Sequence, residues 1–243
     1  MFQELFTVSQ YPSLQPDQTF GAKLLRVFKT YGLVFLGLIA VGPILVLADK
    51  FVKEVLHHKS LLDINQKQFS QLYKYLGKPL AVTFICVIGP LMEELIFRLW
   101  LNFKKRYIAV SALIAMVYFG MAILKRVTPQ LWLPITIGLA TGALFTLLFR
   151  YRNIPSGATA QVSDIVKHRL IILSMVAFAL MHVSNYRPEL SLFWIYPIYV
   201  IPQLIMGWGI TYVRFKNGFA WGVVLHMLMN TVATLAGLWM KKF

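Results

Sequence analysis

The chain has 243 residues, of which 58% are Ala, Val, Ile, Leu, Met, Phe, Trp, Tyr or Cys and only 14% are charged, with a mean hydropathy of +0.65. Globular domains are roughly 45–50% apolar and about 25% charged, so a soluble fold is excluded. Lys plus Arg outnumber Asp plus Glu by 24 to 9, yet the basic residues stand at the ends of apolar runs, the pattern of membrane-edge anchors and not of a nucleic-acid surface.

A bilayer span takes about 20 residues, which leaves no room for a large extramembrane domain and places the function inside the spanning body. The first twenty residues mix Glu4, Gln10, Pro12, Pro16 and Asp17 without an apolar core. No cleavable signal peptide is expected, and insertion begins with the first span. Apolar runs then predict about seven spans (six to eight): Tyr31–Ala48, Leu80–Leu101, Tyr107–Leu124, Leu131–Phe149, Leu170–His182, Leu192–Val213 and Phe219–Met240. Between the first two, Asp49 to Pro79 alternates charged with apolar residues and predicts an amphipathic helix on the membrane surface. Gly120, Lys125, Arg126 and Pro129 interrupt the third and fourth runs, as in a helical hairpin over 107–149. The fifth run is short and reaches spanning length if its helix starts before His168 or continues through Asn185. Tyr151 to His168 reads as a polar loop, and the single cysteine, Cys86, as a small buried hydrophobe. The expected architecture is an all-α polytopic transmembrane helix bundle with one interfacial helix, a single membrane-embedded domain over 1–243. Basic residues are nearly balanced between the two sides, with a modest preference for the side of Lys104, Arg150 and Lys216 as cytoplasmic.

Ionisable side chains inside hydrocarbon cost about 2.5 kcal/mol or more, so the few that sit deep in spans mark function. They are Glu93, Glu94 and Arg98 in the second run, His182 late in the fifth, and His226, joined by the polar Asn230, in the last. Glu94 and Arg98 are four apart with the acid first, the favourable order for a helical ion pair, while Glu93 points about 100° away. Pro90 removes a backbone donor one turn before the acids and makes local room for solvent. His226 and Asn230 share one face at i and i+4. Counted from the nearest basic edge on one common side, Glu93, His182 and His226 lie roughly 16, 20 and 15 Å deep at 1.5 Å per residue. Three helices thus bring polar groups to one level near the middle of the bilayer.

Two carboxylates, two imidazoles, an amide and a guanidinium in a low-dielectric cavity suit activation of water against a carbonyl. Glu93 with His182 could deprotonate the water, and His226 with Asn230 could donate hydrogen bonds to the developing oxyanion, typically about 2.7–4 kcal/mol per donor. No buried Ser or Cys is paired with a base, which favours direct hydrolysis over an acyl-enzyme.

Glu93-Glu94 with Arg98 forms an E-E-x-x-x-R motif, Phe178 with His182 F-x-x-x-H, and His226 with Asn230 H-x-x-x-N. In this order on apolar helices they resemble the CPBP family of intramembrane proteases, also called the Abi or CAAX-protease-related family, over a core of about residues 80–240. The resemblance implies a multi-pass membrane endopeptidase related to enzymes that remove the C-terminal tripeptide of prenylated proteins. Its substrate is a membrane-associated peptide or protein, lipidated in some relatives, and its expected location is a bacterial cytoplasmic membrane. The resemblance further implies that Glu93 and His182 activate water, His226 and Asn230 form the oxyanion site, and Glu94 with Arg98 supports it. One departure is the long stretch between the first two motifs, where the hairpin over 107–149 reads as an insertion.

A metal-free mechanism with no cofactor is favoured, because no H-E-x-x-H motif is present. Zinc held by Glu93, His182 and His226 is the alternative. Two other classes stand against the protease reading. A non-enzymatic immunity or scaffold protein would keep the motifs for helix packing, and a proton-coupled transporter would need a polar path to both faces, whereas the polar groups here form one layer.

Overall fold

The computed structural model describes residues 2–17, 19–127, 139, 140, 142, 155 and 157–240. Among them the protein is all-α, with a single isolated β-bridge between Lys104 and Thr159. The principal helices are α1 (Phe20–Glu54), α2 (Leu61–Leu76), α3 (Lys78–Phe97), α4 (Lys105–Val127), α5 (Asp164–Met181), α6 (Ile201–Asn217) and α7 (Phe219–Trp239). Five segments are long and apolar enough to cross a bilayer: α1, α3, Lys105–Leu124 of α4, α5 extended to Tyr186, and α7. The protein is an integral, multi-pass membrane protein.

The observed boundaries depart from the expected spans in instructive ways. At 35 residues, α1 is far longer than Tyr31–Ala48, and about 1.5 Å per residue takes it well beyond a 30 Å hydrocarbon layer. The second expected span is shorter than Leu80–Leu101: its helix stops at Phe97, a 3-10 turn covers Leu99–Asn102, and Phe103 turns the chain at φ 58. The fifth reaches spanning length at both ends, starting at Asp164 and continuing through a 3-10 turn at His182–Tyr186. The sixth, Leu192–Val213, is not one helix. Pro197 and Pro202 each lack a backbone donor, so the stretch breaks into a 3-10 turn at Leu190–Leu192, a short helix at Tyr196–Tyr199, and α6 with Pro202 in its first turn. The fourth expected span, and with it the second half of the 107–149 hairpin, lies almost wholly outside the described residues.

The chain divides into two compact units, one of residues 1–91 and 171–243 and one of 92–170. In the first, α6 packs against α1 and α7. Gly209 permits the α1 contact, since a Cβ there would lie 2.5 Å from Val34 Cγ2 and 3.2 Å from Thr30 Cγ2. The turn from α6 to α7 falls on Gly218 at φ +100, a backbone conformation that L side chains rarely adopt. The N-terminal segment is strapped to α6: Trp208 Nε1 donates to the Leu5 carbonyl at 2.7 Å, and the Tyr212 hydroxyl and Lys216 Nζ donate to Glu4 at 2.9 and 3.2 Å. Partial burial pushes the Glu4 carboxyl up, but those two donors outweigh it and hold the group below its ordinary range.

A second core of this unit joins α1, α2, the end of α5 and the broken stretch before α6, with Val52, Leu61, Ala179, Tyr186, Leu192, Ile195 and Tyr199 packed together. Asp49 stands beside it. Its carboxylate accepts hydrogen bonds from Ser60 Oγ (2.7 Å), the Leu61 and Leu62 amides (2.8 and 3.2 Å) and the Tyr199 hydroxyl (3.2 Å). Those amides open α2, where a helix has donors without partners, so Asp49 completes the cap that Ser60 begins on the Asp63 amide. In the second unit, Ser111 of α4 donates to the Leu95 carbonyl at 2.7 Å.

Gly209→Val should lower stability by about 1–3 kcal/mol through overpacking against α1. Gly32→Ala, a helical site with no neighbouring atom within 4 Å, should be neutral or stabilising. Thermal unfolding in detergent checks both, with equal melting points for the two variants counting against the close approach.

Candidate active site

The expected site residues stand on α3 and at its end, at the end of α5, and on α7. Within α3 the ladder widens to a π-turn at Phe84–Ile88, in which the Gly89 amide donates back to the Phe84 carbonyl. In that five-residue register the Ile85 carbonyl falls to Pro90, which has no N–H. The orphaned oxygen is taken by α7, whose Asn230 Nδ2 donates to it at 3.0 Å. The residue at 89 is also constrained, since a Cβ there would sit 3.1 Å from the Phe84 oxygen. The sequence Gly89-Pro90 therefore creates a gap in the backbone ladder that Asn230 closes. The disruption expected from Pro90 is observed, as a change of helical register.

His182 stands where α5 gives way to its 3-10 turn. Its Nδ1 lies 2.9 Å from the Phe178 carbonyl, one turn back. A carbonyl only accepts, so Nδ1 carries a proton in this contact, and in the neutral form of the ring Nε2 is the basic nitrogen. The Phe178 ring, 1% exposed, meets both imidazoles edge-on, with centroids 4.9 Å from His182 and 5.6 Å from His226. The structure thus brings the two histidines onto one aromatic wedge. His226 is buried, whereas His182 and Asn230 are partly exposed.

Glu93, Glu94 and Arg98 belong to the other unit. Glu94 Oε1 and Arg98 Nη1 form the i, i+4 ion pair expected from their spacing, and both side chains are fully buried. The Arg98 amide also closes the last helical turn onto the Glu94 carbonyl at 2.9 Å. Glu93, one residue earlier, is partly exposed. Of the five ionisable motif residues, Glu94, Arg98 and His226 are buried, while Glu93 and His182 are partly exposed. Within either unit, no three of the described His, Cys, Asp and Glu side chains gather around a metal-sized site.

The sequence matches the Type II CAAX prenyl endopeptidase Rce1-like family over residues 76–162 and 157–232, well over half of the chain. The chain belongs to this family. No curated protein and no solved structure gives a match. Glu93, Glu94, Arg98, Phe178, His182, His226 and Asn230 all fall inside the matched stretches, and membership makes the chain an intramembrane endopeptidase.

The sequence carries no motif for Asp49, Gln68 or Tyr199, whose hydrogen bonds link α1, α2 and the turn after α5 to one another. Ser60-x-x-Asp63, with the Ser60 hydroxyl accepting from the Asp63 amide at 3.0 Å, is the one local signal for the start of α2.

Removing one member of a buried ion pair leaves the other uncompensated, at about 3–5 kcal/mol. Arg98→Met should therefore destabilise the protein by that order, and Glu94→Gln combined with Arg98→Met should recover most of the loss. Melting of the single and double variants in detergent decides the matter, and strict additivity of the two changes would show that the pair is not coupled.

Proposed function

We propose that the protein hydrolyses a peptide bond near the C-terminus of a membrane-associated, lipidated protein by direct attack of water. The reading rests chiefly on His182, a partly exposed imidazole oriented by its Nδ1 contact with the Phe178 carbonyl, in a family of endopeptidases.

In this mechanism Glu93 and His182 share the proton of the attacking water. A carboxylate and an imidazole are both groups that give and take protons effectively in general acid–base catalysis. As the tetrahedral intermediate forms, its oxyanion accepts hydrogen bonds from His226 and from the N–H of Asn230 that does not serve Ile85. The proton taken from water then passes to the leaving amine. Glu94 and Arg98 neutralise each other and hold the end of α3 without entering the chemistry.

The family name supplies the assay. Purified protein in lipid nanodiscs is given a fluorogenic peptide ending in a farnesylated Cys followed by two aliphatic residues and a terminal residue. Glu93→Gln and His182→Ala should each lower kcat by about 10²–10⁴-fold, the usual contribution of a general acid–base group, with expression and melting point unchanged. Full turnover by the purified Glu93→Gln variant would sink the assignment and favour the scaffold reading. The reaction should also survive chelation; stoichiometric zinc in the purified protein together with chelator-sensitive cleavage would replace the metal-free mechanism with the zinc alternative.

A further inference from the structure

Beyond the residues of the motifs, the turn that carries His182 is held from outside its own helix. The last carbonyls of a helix lack their usual partners within it; α5 ends in the 3-10 turn His182–Tyr186, where the Arg187 amide reaches the Ser184 carbonyl at a long 3.4 Å and Arg187 turns the chain at φ 50. The Ser184 and Asn185 carbonyls receive Gln68 Nε2 of α2 at 3.3 and 2.7 Å. Three residues along α2, Gln71 Oε1 accepts from Arg187 Nη2 at 3.2 Å. The Tyr186 hydroxyl donates to the Tyr199 carbonyl at 3.1 Å, and the Tyr199 hydroxyl donates to Asp49 at 3.2 Å. Asp49 in turn receives the first amides of α2. These bonds close a circuit: Asp49 fixes the start of α2, α2 presents Gln68 to the His182 turn, and Tyr186 and Tyr199 lead back to Asp49.

We propose that Gln68 is a positioning residue for His182, holding the Ser184 and Asn185 carbonyls so that the chain leaves α5 in the 3-10 conformation and the imidazole keeps its contact with Phe178. The inference rests on the reading of His182 as the water-activating base. Gln68 acts through its donor alone, since both of its partners are carbonyl oxygens. Without that donor the two carbonyls compete for the amides of the turn, the backbone at 182–186 shifts toward continued helix, and the ring loses its fixed aim. The amphipathic α2 is thereby a brace for the site as well as a surface helix.

The donor requirement separates positioning from packing. Gln68→Glu keeps the size and shape of the side chain but presents an acceptor to two acceptors, whereas Gln68→Lys changes the shape and keeps a donor. With the farnesylated peptide in nanodiscs, Gln68→Glu and Gln68→Ala should lower kcat about tenfold with KM nearly unchanged, as expected of a misplaced catalytic group, and Gln68→Lys should restore most of the rate. Wild-type turnover by Gln68→Glu, or equal losses in all three variants, would overturn the proposal.

Two readouts need no activity: the 15N shifts of the His182 ring, which report the tautomer, and amide exchange over residues 183–187. Gln68→Glu should mix the tautomers and speed exchange, and an unchanged ring with unchanged exchange would also overturn the proposal. If wild-type protein leaves the peptide intact, or His182→Ala cleaves it normally, the functional reading fails while these two measurements still decide the brace.

Discussion

A carbonyl inside a bilayer must find a donor, because no water is there to supply one. The π-turn of α3 makes this constraint visible. Pro90 withdraws the N–H that the Ile85 oxygen would have received in the widened register, and Asn230 replaces it from α7. Helix α3 and α7 are thus joined by the repair of a break that the sequence places in α3 itself. The same rule operates at the end of α5, where Gln68 serves two carbonyls, and at the start of α2, where Asp49 serves two amides. Each of these three irregularities is matched by a side chain from another element, which ties the elements together.

What could be read from the sequence follows the range of each interaction. Apolar length gave α1, α3, α4, α5 and α7, because a span must be long and apolar whatever it packs against. The Glu94–Arg98 pair was legible at four residues' spacing for the same local reason. The break before α6 was missed because hydropathy does not register the missing donors of Pro197 and Pro202, though both prolines stood in plain view. Asp49, Gln68 and Tyr199 were not legible at all. Asp49 and Tyr199 are 150 residues apart and Gln68 and Asn185 are 117 apart, and no periodicity connects such partners. The shared contact of His182 and His226 on Phe178 lies between these cases: each motif was local, and only the fold shows that one ring serves both.

Burial sorts the motif residues by task. Arg98 and Glu94 are fully buried and hold each other's charge, as an ion pair must when water is absent. Phe178 is buried against both imidazoles and sets their spacing. Glu93 and His182 stay partly exposed, which suits the proton exchange with water that the proposed mechanism gives them. Adjacent acids on one helix thereby acquire different surroundings from orientation alone, about 100° of helical turn separating a buried, paired carboxylate from a partly exposed one.

Under the proposed mechanism Asn230 combines both kinds of work in one side chain, and its chemistry explains how. An amide has two N–H donors. One is committed to the Ile85 carbonyl, which leaves a single donor for a developing oxyanion under the proposed mechanism. A serine or threonine has one hydroxyl hydrogen and would have to abandon either the helix repair or the reaction, and an aspartate would set a charge against the Ile85 oxygen. The position one turn after His226 thus calls for a two-donor side chain short enough to stay on the α7 face. The π-turn in α3 is then a structural reason for the H-x-x-x-N spacing: the backbone defect fixes one N–H of the amide, and fixing one aims the other.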